Sequence, residues 1–117
     1  LMVSGDESRI EQVLYNLMNN ALNHTPEGGL ITVRAVDKEA AVAIEISDTG
    51  SGISKEDLKH IWERYYKAEK SGIKRHIGTG LGLAIVKSIL ESHKSKFGVF
   101  SAQGKGTTFW FELPKIY

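Results

Sequence analysis

Twice in this chain, two alternating apolar and polar stretches stand next to each other with only a few polar residues between them. "LITVRAV" (30–36) is followed by "AVAIEIS" (41–47), and "KFGVFSA" (96–102) is followed by "TTFWFEL" (107–113) across a "QGKG" turn. Alternation with period two marks strands with one buried face, and linkers this short join antiparallel neighbours. Each pair is therefore an antiparallel hairpin. Ahead of the first pair, apolar residues at Ile10, Val13, Leu14, Leu17, Met18, Ala21 and Leu22 recur at helical spacing behind Asp6, a candidate N-cap. Pro26 and the glycines of "HTPEGG" end that helix. Between the hairpins lie a second helix, opening at Ser54 in "SKEDLKHIWERYY" with Asp57 in the capping-box position, and a third that runs from the glycine segment to about Ser92. Single helices alternating with antiparallel strand pairs predict a two-layer α/β sandwich of the α+β kind, not a doubly wound parallel sheet.

Charge and composition narrow what such a fold can do. Fifteen basic residues against fourteen acidic leave a net charge of +1, which offers no electrostatic footprint for nucleic acid or a membrane surface. The absence of cysteine removes disulfides and thiolate zinc sites. The histidines His24, His60, His76 and His93 have no short metal-ligand spacing, and His60 and His93 read as solvent-facing helix positions. No apolar run approaches the ~20 residues of a membrane span. A chain of 117 residues makes one domain with a modest core. Its start, "LMVSGDESR", has neither an initiator methionine nor a signal-peptide pattern and lies close to an element boundary, so the sequence reads as one domain (1–117) of a longer protein.

Three stretches hold residues that a core does not require. With Asn16 at zero and 100° per residue, Asn20 falls at about 40° and Asn23 at about −20°, while the apolar centre lies at roughly 130°. These asparagines, with His24, line one border of the apolar face. Asparagine is a weak helix former, yet its amide oxygen can bind a hard cation and its NH₂ a phosphate oxygen. From the helix alone, that role and a merely polar flank fit equally well. In "ISDTGSGI" (46–53) Asp48 ends a strand, placed to accept from a base-edge NH₂, and Gly50 and Gly52 would let a flat ring lie against backbone; alone, the stretch reads better as an ordinary Asp-Gly turn. In "IGTGLGLAIVKSIL" (77–90) the third glycine comes one residue early for a dinucleotide fingerprint, and no GK[ST] follows for a Walker A loop. A glycine loop feeding a helix N-terminus, an anion site in principle, is what is left. The basic segment 67–76, "KAEKSGIKRH", cannot bury itself and reads as a mobile loop.

In combination these stretches say more. "NLMNNA", "DTGSGI", "IWERYYKAE", "GTGLGLAI" and "GKGTTFWFELP", in that order, resemble the N, G1, F, G2 and G3 boxes of the catalytic, ATP-binding domain of bacterial sensor histidine kinases. That nucleotide-binding family is shared with gyrase, mismatch-repair ATPases and a heat-shock chaperone. The resemblance covers Val3 to Pro114 and implies a mixed, largely antiparallel sheet of about five strands on three helices, with a flexible ATP lid at about 67–79. It also implies roles. Asn20 would be the protein ligand of Mg²⁺, with Asn16 one turn earlier facing the same phosphates and metal-bound water. Asn23 and His24 replace the family's usual basic residue and tyrosine, which implies weaker phosphate contact. Asp48 would accept the adenine amino hydrogen, with Gly50, Gly52 and Ile53 shaping the base pocket. Tyr66 and Lys67 would reach ribose and phosphate. Thr79, Gly80, Leu81, Gly82 and Leu83 would offer backbone amides to the phosphates, and Thr108 would lie near the adenine. Trp62 stands where the F box usually has phenylalanine.

Asn16 also separates subfamilies. Hydrolysing relatives carry a glutamate there as general base, and an amide cannot take that proton. The resemblance therefore implies that Mg-ATP is held and its γ-phosphoryl kept for a histidine on a separate dimerisation and phosphoacceptor domain, in two-component signalling with a cognate response regulator. The chain would be a cytoplasmic domain with no membrane contact of its own, and inactive in autophosphorylation without that other domain. A regulatory nucleotide-binding module without phosphotransfer, and an anti-sigma-type serine kinase of the same fold, are the alternative readings.

Overall fold

The computed structural model describes residues 2–64 and 82–116. The element order is α1 (Glu7–His24), β1 (Ile31–Asp37), β2 (Ala41–Asp48), α2 (Lys55–Leu58), α3 (Gly82–Ser92), β3 (Phe97–Ser101) and β4 (Thr107–Pro114). The strands form one sheet in the order β1-β2-β4-β3, and every pairing is antiparallel. Both hairpins expected from the alternation are present, joined through the β2–β4 pair. Helices α1 and α3 pack on one face of this sheet, which gives the expected two layers. No helix among the described residues is long and apolar enough to cross a membrane.

The local signals act as their chemistry requires. The Asp6 carboxylate accepts the Arg9 N–H at 3.1 Å and caps α1, and Ser54 Oγ accepts the Asp57 N–H at 3.1 Å and caps α2. The core gathers Val13, Leu17 and Ala21 of α1, Val86, Ile89 and Leu90 of α3, and Ile46, Phe109, Phe111 and Leu113 of the sheet. Phe111 and Val13 are wholly buried. Phe100 and Trp110 belong to the opposite face, where their rings stack at 6.4 Å. Gly98 lies under that indole: a Cβ there would stand 2.9 Å from Trp110 Nε1.

Four expectations change. The sheet has four strands among the described residues, not about five, and it is wholly antiparallel instead of mixed. The N-terminal residues reach it only through the Val3–Lys115 bridge, because Asp6 caps α1 three residues later and Pro114, alongside, has no N–H to donate. The helix from Ser54 stops after one turn. Three-residue turns closed by His60 N–H to Asp57 O and Glu63 N–H to His60 O follow, and they carry Trp62 into the core. Its ring meets Phe97 and Phe109 edge-on at 5.3 and 5.6 Å. Finally, His93 does not face solvent freely. Its Nε2 accepts the Asp6 N–H at 3.0 Å and its Nδ1 donates to Ile89 O at 2.9 Å, a tautomer dictated by those two partners.

Candidate functional site

Asp48 is the last residue of β2, on the face that carries Ile46, and only 7% of its surface is exposed. Burying a carboxylate demands partners. The Gly50 N–H supplies one, donating to Oδ1 at 2.8 Å and closing the turn that the Asp-Gly spacing predicts. The turn is folded hard against its neighbours. A Cβ on Gly50 would stand 3.0 Å from the carbonyl carbon of His24, so the C-terminal end of α1 rests directly on it. Gly52 adopts φ +77°, and a Cβ there would stand 2.7 Å from the carbonyl carbon of Ala102. Two hydrogen bonds lace the Asp48 turn to the β3–β4 turn: Gly104 N–H to Ser51 O at 2.6 Å and Ile53 N–H to Ser101 Oγ at 2.7 Å.

Helix α1 brings the amides. Asn16, Asn20 and Asn23 are all half-buried along one edge. Asn16 reaches the N-terminus of α3: a Cβ on Gly82 would lie 3.7 Å from its Oδ1. The first amides of α3 have no partners within their own helix and carry the positive end of its dipole. No acidic residue occupies that first turn. The asparagine edge thus runs from the N-terminus of α3 to the Asp48 turn. His24 joins it through its backbone, and its ring Nδ1 meets the Asn20 carbonyl at 2.7 Å. The side chains of Ile53 and Leu83 pack against the core, which leaves backbone as the polar group that Leu83 can offer. Tyr66, Lys67, Thr79, Gly80, Leu81 and the expected lid at 67–79 lie outside the described residues.

Thr108 lies on β4 across from Ser47. It points to the far face of the sheet, where its hydroxyl pairs with Ser47 at 2.8 Å. The threonine opposite Asp48 is Thr107, 6% exposed and in register across the β2–β4 ladder. Strand parity decides this: Thr107 shares its face with buried Phe109, Phe111 and Leu113, and Thr108 shares the other with Trp110. The alternation of those apolar residues was the signal that points to Thr107. Ser101 was missed as well, and no local pattern marks it. A depression of 460 Å³ borders these turns, lined by Asp48, Thr107 and Ser101 together with Ser47, Lys105 and Thr108 among others. It touches none of the asparagines.

Residues 5–116 match the family described as histidine kinase-, DNA gyrase B-, and HSP90-like ATPase. The chain is 40% identical over 116 residues to the sensor histidine kinase WalK of Bacillus subtilis, covering 97% of this chain and 19% of WalK. It therefore spans about a fifth of the length of that relative. Among solved structures, a mycobacterial sensor histidine kinase, MprB, superposes with a TM-score of 0.83 at 30% identity, covering 97% of this chain and 74% of the other. Full-length ShkA in complex with AMPPNP superposes with a TM-score of 0.82 at 30% identity, covering 97% of this chain and 23% of the other.

Proposed function

Because this chain belongs to the histidine kinase-, DNA gyrase B- and HSP90-like ATPase family, we propose that it is the catalytic, ATP-binding domain of a sensor histidine kinase. In this reading it holds Mg-ATP and presents the γ-phosphoryl group to a histidine on a separate dimerisation domain. A cognate response regulator takes the phosphoryl group afterwards, and the domain works in the cytoplasm. The observation that carries the reading is the asparagine edge of α1, which joins the N-terminus of α3 to the buried Asp48 turn. One end suits phosphate and the other suits a base with an amino group.

Each residue then has a task. Asp48 accepts from the exocyclic amino group, with Oδ1 pinned by Gly50 so that the carboxylate keeps its direction. The close-packed Gly50–Ile53 backbone forms the floor under the ring. Amides at the start of α3 and the segment before it bind phosphate oxygens. The donor set also fits Mg²⁺. No cluster of three or more His, Cys, Asp or Glu exists among the described residues, so an all-protein carboxylate cage is absent there. Mg²⁺ characteristically takes one or two protein oxygens and completes its shell with phosphates and water. Asn20 would hold it, with Asn16 orienting its water, and the ion would neutralise phosphate charge. Asn16 orients without removing a proton, which preserves ATP for transfer instead of hydrolysis.

Thermal unfolding with ADP and Mg²⁺ tests this. At a hundredfold excess over Kd the wild type gains about 2.7 kcal/mol, while Asn20→Ala loses the Mg²⁺-dependent part and Asp48→Asn loses most of the gain. No shift for the wild type overturns the nucleotide reading. Labelled ATP with the chain alone should give negligible self-labelling, and labelling should appear on adding the phosphoacceptor domain.

A further inference from the structure

Strand β1 is an edge of the sheet, and among the described residues no strand pairs with its outer side. An unpaired edge is a template for a further strand, and proteins usually blunt it with proline, lysine or a bulge. Residues 31–37, "ITVRAVD", have none of these and pair with β2 in an unbroken register. The parity of that ladder shows which backbone groups are spare. Lys38 N–H donates to Ala41 O at 2.9 Å, and Thr49 N–H donates to Leu30 O at 3.1 Å. Hydrogen-bonded pairs alternate along an antiparallel ladder, so the even-numbered residues of β1 bond to β2. The N–H and C=O groups of Ile31, Val33, Ala35 and Asp37 therefore point outward from the edge. Two exposed apolar side chains stand on the same stretch. Val33 lies across from buried Ile46, on the face that the helices cover, yet is 54% exposed. Leu30, just before the strand, is 64% exposed.

We infer that β1 pairs antiparallel with β1 of a second copy of this chain, with Val33 on the two-fold axis. The pairing is independent of the nucleotide reading. A two-fold that continues the sheet sets each residue against one of the same parity, and outward backbone groups must meet outward groups. For an overlap of most of the strand, the axis then falls at Val33 or at Ala35. At Ala35, Val33 would face the Asp37 carboxylate of the other copy. At Val33, that residue meets its own counterpart, Ile31 meets Ala35, Leu30 meets Val36 and Thr32 meets Arg34. Both exposed apolar side chains are then covered by apolar partners. Charge fits as well. Each Arg34 faces a threonine hydroxyl and keeps Glu45 beside it on its own sheet at 3.5 Å, so no like charges oppose each other along the strand. The stretch is complementary to itself, which favours a second copy over an unrelated strand.

Sedimentation equilibrium of the chain between ~10 µM and ~1 mM reads the association. One strand pair lies at the small end of interfaces, so the mass should rise from 12.9 kDa toward twice that value with a Kd of about 0.1–1 mM. Val33→Lys sets two ammonium groups against each other at the axis and should weaken association about tenfold. Val33 is exposed in the monomer, so the fold itself should tolerate the change. Thr32→Glu places a carboxylate against each Arg34 and should tighten association about fivefold through two symmetric pairs. Amide hydrogen exchange separates edge pairing from any other contact. The N–H groups of Ile31, Val33 and Ala35 should gain protection as concentration rises, while those of Thr32 and Arg34 are protected throughout. A chain that stays monomeric to ~1 mM leaves the edge to a strand of another protein and overturns the inference. Association that Val33→Lys leaves unchanged, or that leaves the Ile31, Val33 and Ala35 amides unprotected, overturns it too.

Discussion

Gly52 and Gly104 have almost the same backbone, φ +77° and φ +79°, yet replacing each by alanine should cost very different amounts. An alanine in this left-handed region costs about 1–2 kcal/mol at either site. At Gly104 nothing lies within 4 Å of the added Cβ, so that is the whole cost. At Gly52 the Cβ would stand 2.7 Å from the carbonyl carbon of Ala102 and 3.1 Å from the Cα of Gln103, and backbone atoms cannot swing aside. The β3–β4 turn must back away. That motion pulls on Gly104 N–H to Ser51 O at 2.6 Å and Ile53 N–H to Ser101 Oγ at 2.7 Å. Losing both adds about 1 kcal/mol each, for a total of about 3–4 kcal/mol against 1–2 at Gly104. At about 4 °C per kcal/mol for a domain of this size, Tm should fall by about 12–16 °C for Gly52→Ala and about 4–8 °C for Gly104→Ala. Urea titration followed by the fluorescence of Trp62 and Trp110 gives both free energies. Equal costs at the two sites would refute the argument that the turns are packed on each other.

Other perturbations test other layers. Phe111→Ala empties the centre of the core, where the ring is wholly buried; it should cost about 3–5 kcal/mol in the same urea titration. Asp6→Ala removes the α1 cap and should cost about 1 kcal/mol. His93→Phe removes the acceptor for the Asp6 N–H and should cost about 1–2 kcal/mol more than His60→Phe, measured side by side. Thr108→Val breaks only the pair with Ser47 on the far face. Calorimetry should find its Kd for ADP within about twofold of wild type.

Much of this protein is written in local sequence. Period-two alternation determined both hairpins, helical spacing determined the inner face of α1, and Asp6 and Ser54 declared two helix starts; each signal works over a few residues through backbone and side-chain geometry. The box motifs led to the family, and Asp48 was legible as a strand-end carboxylate. Tertiary structure decided the rest, because each remaining question depends on partners far along the chain. Which threonine shares the buried face with Asp48 followed from the register of β4 on β2, sixty residues away, and one step in parity separates Thr107 from Thr108. The second helix yielded to the burial of Trp62 between Phe97 and Phe109. Ser101 acquired Ile53, its one partner from outside the β3–β4 hairpin, only when the turns after β2 and β3 came together. Local periodicity set the elements and their order. Long-range packing set the direction in which each polar group points, and the chemistry of the site depends on that direction.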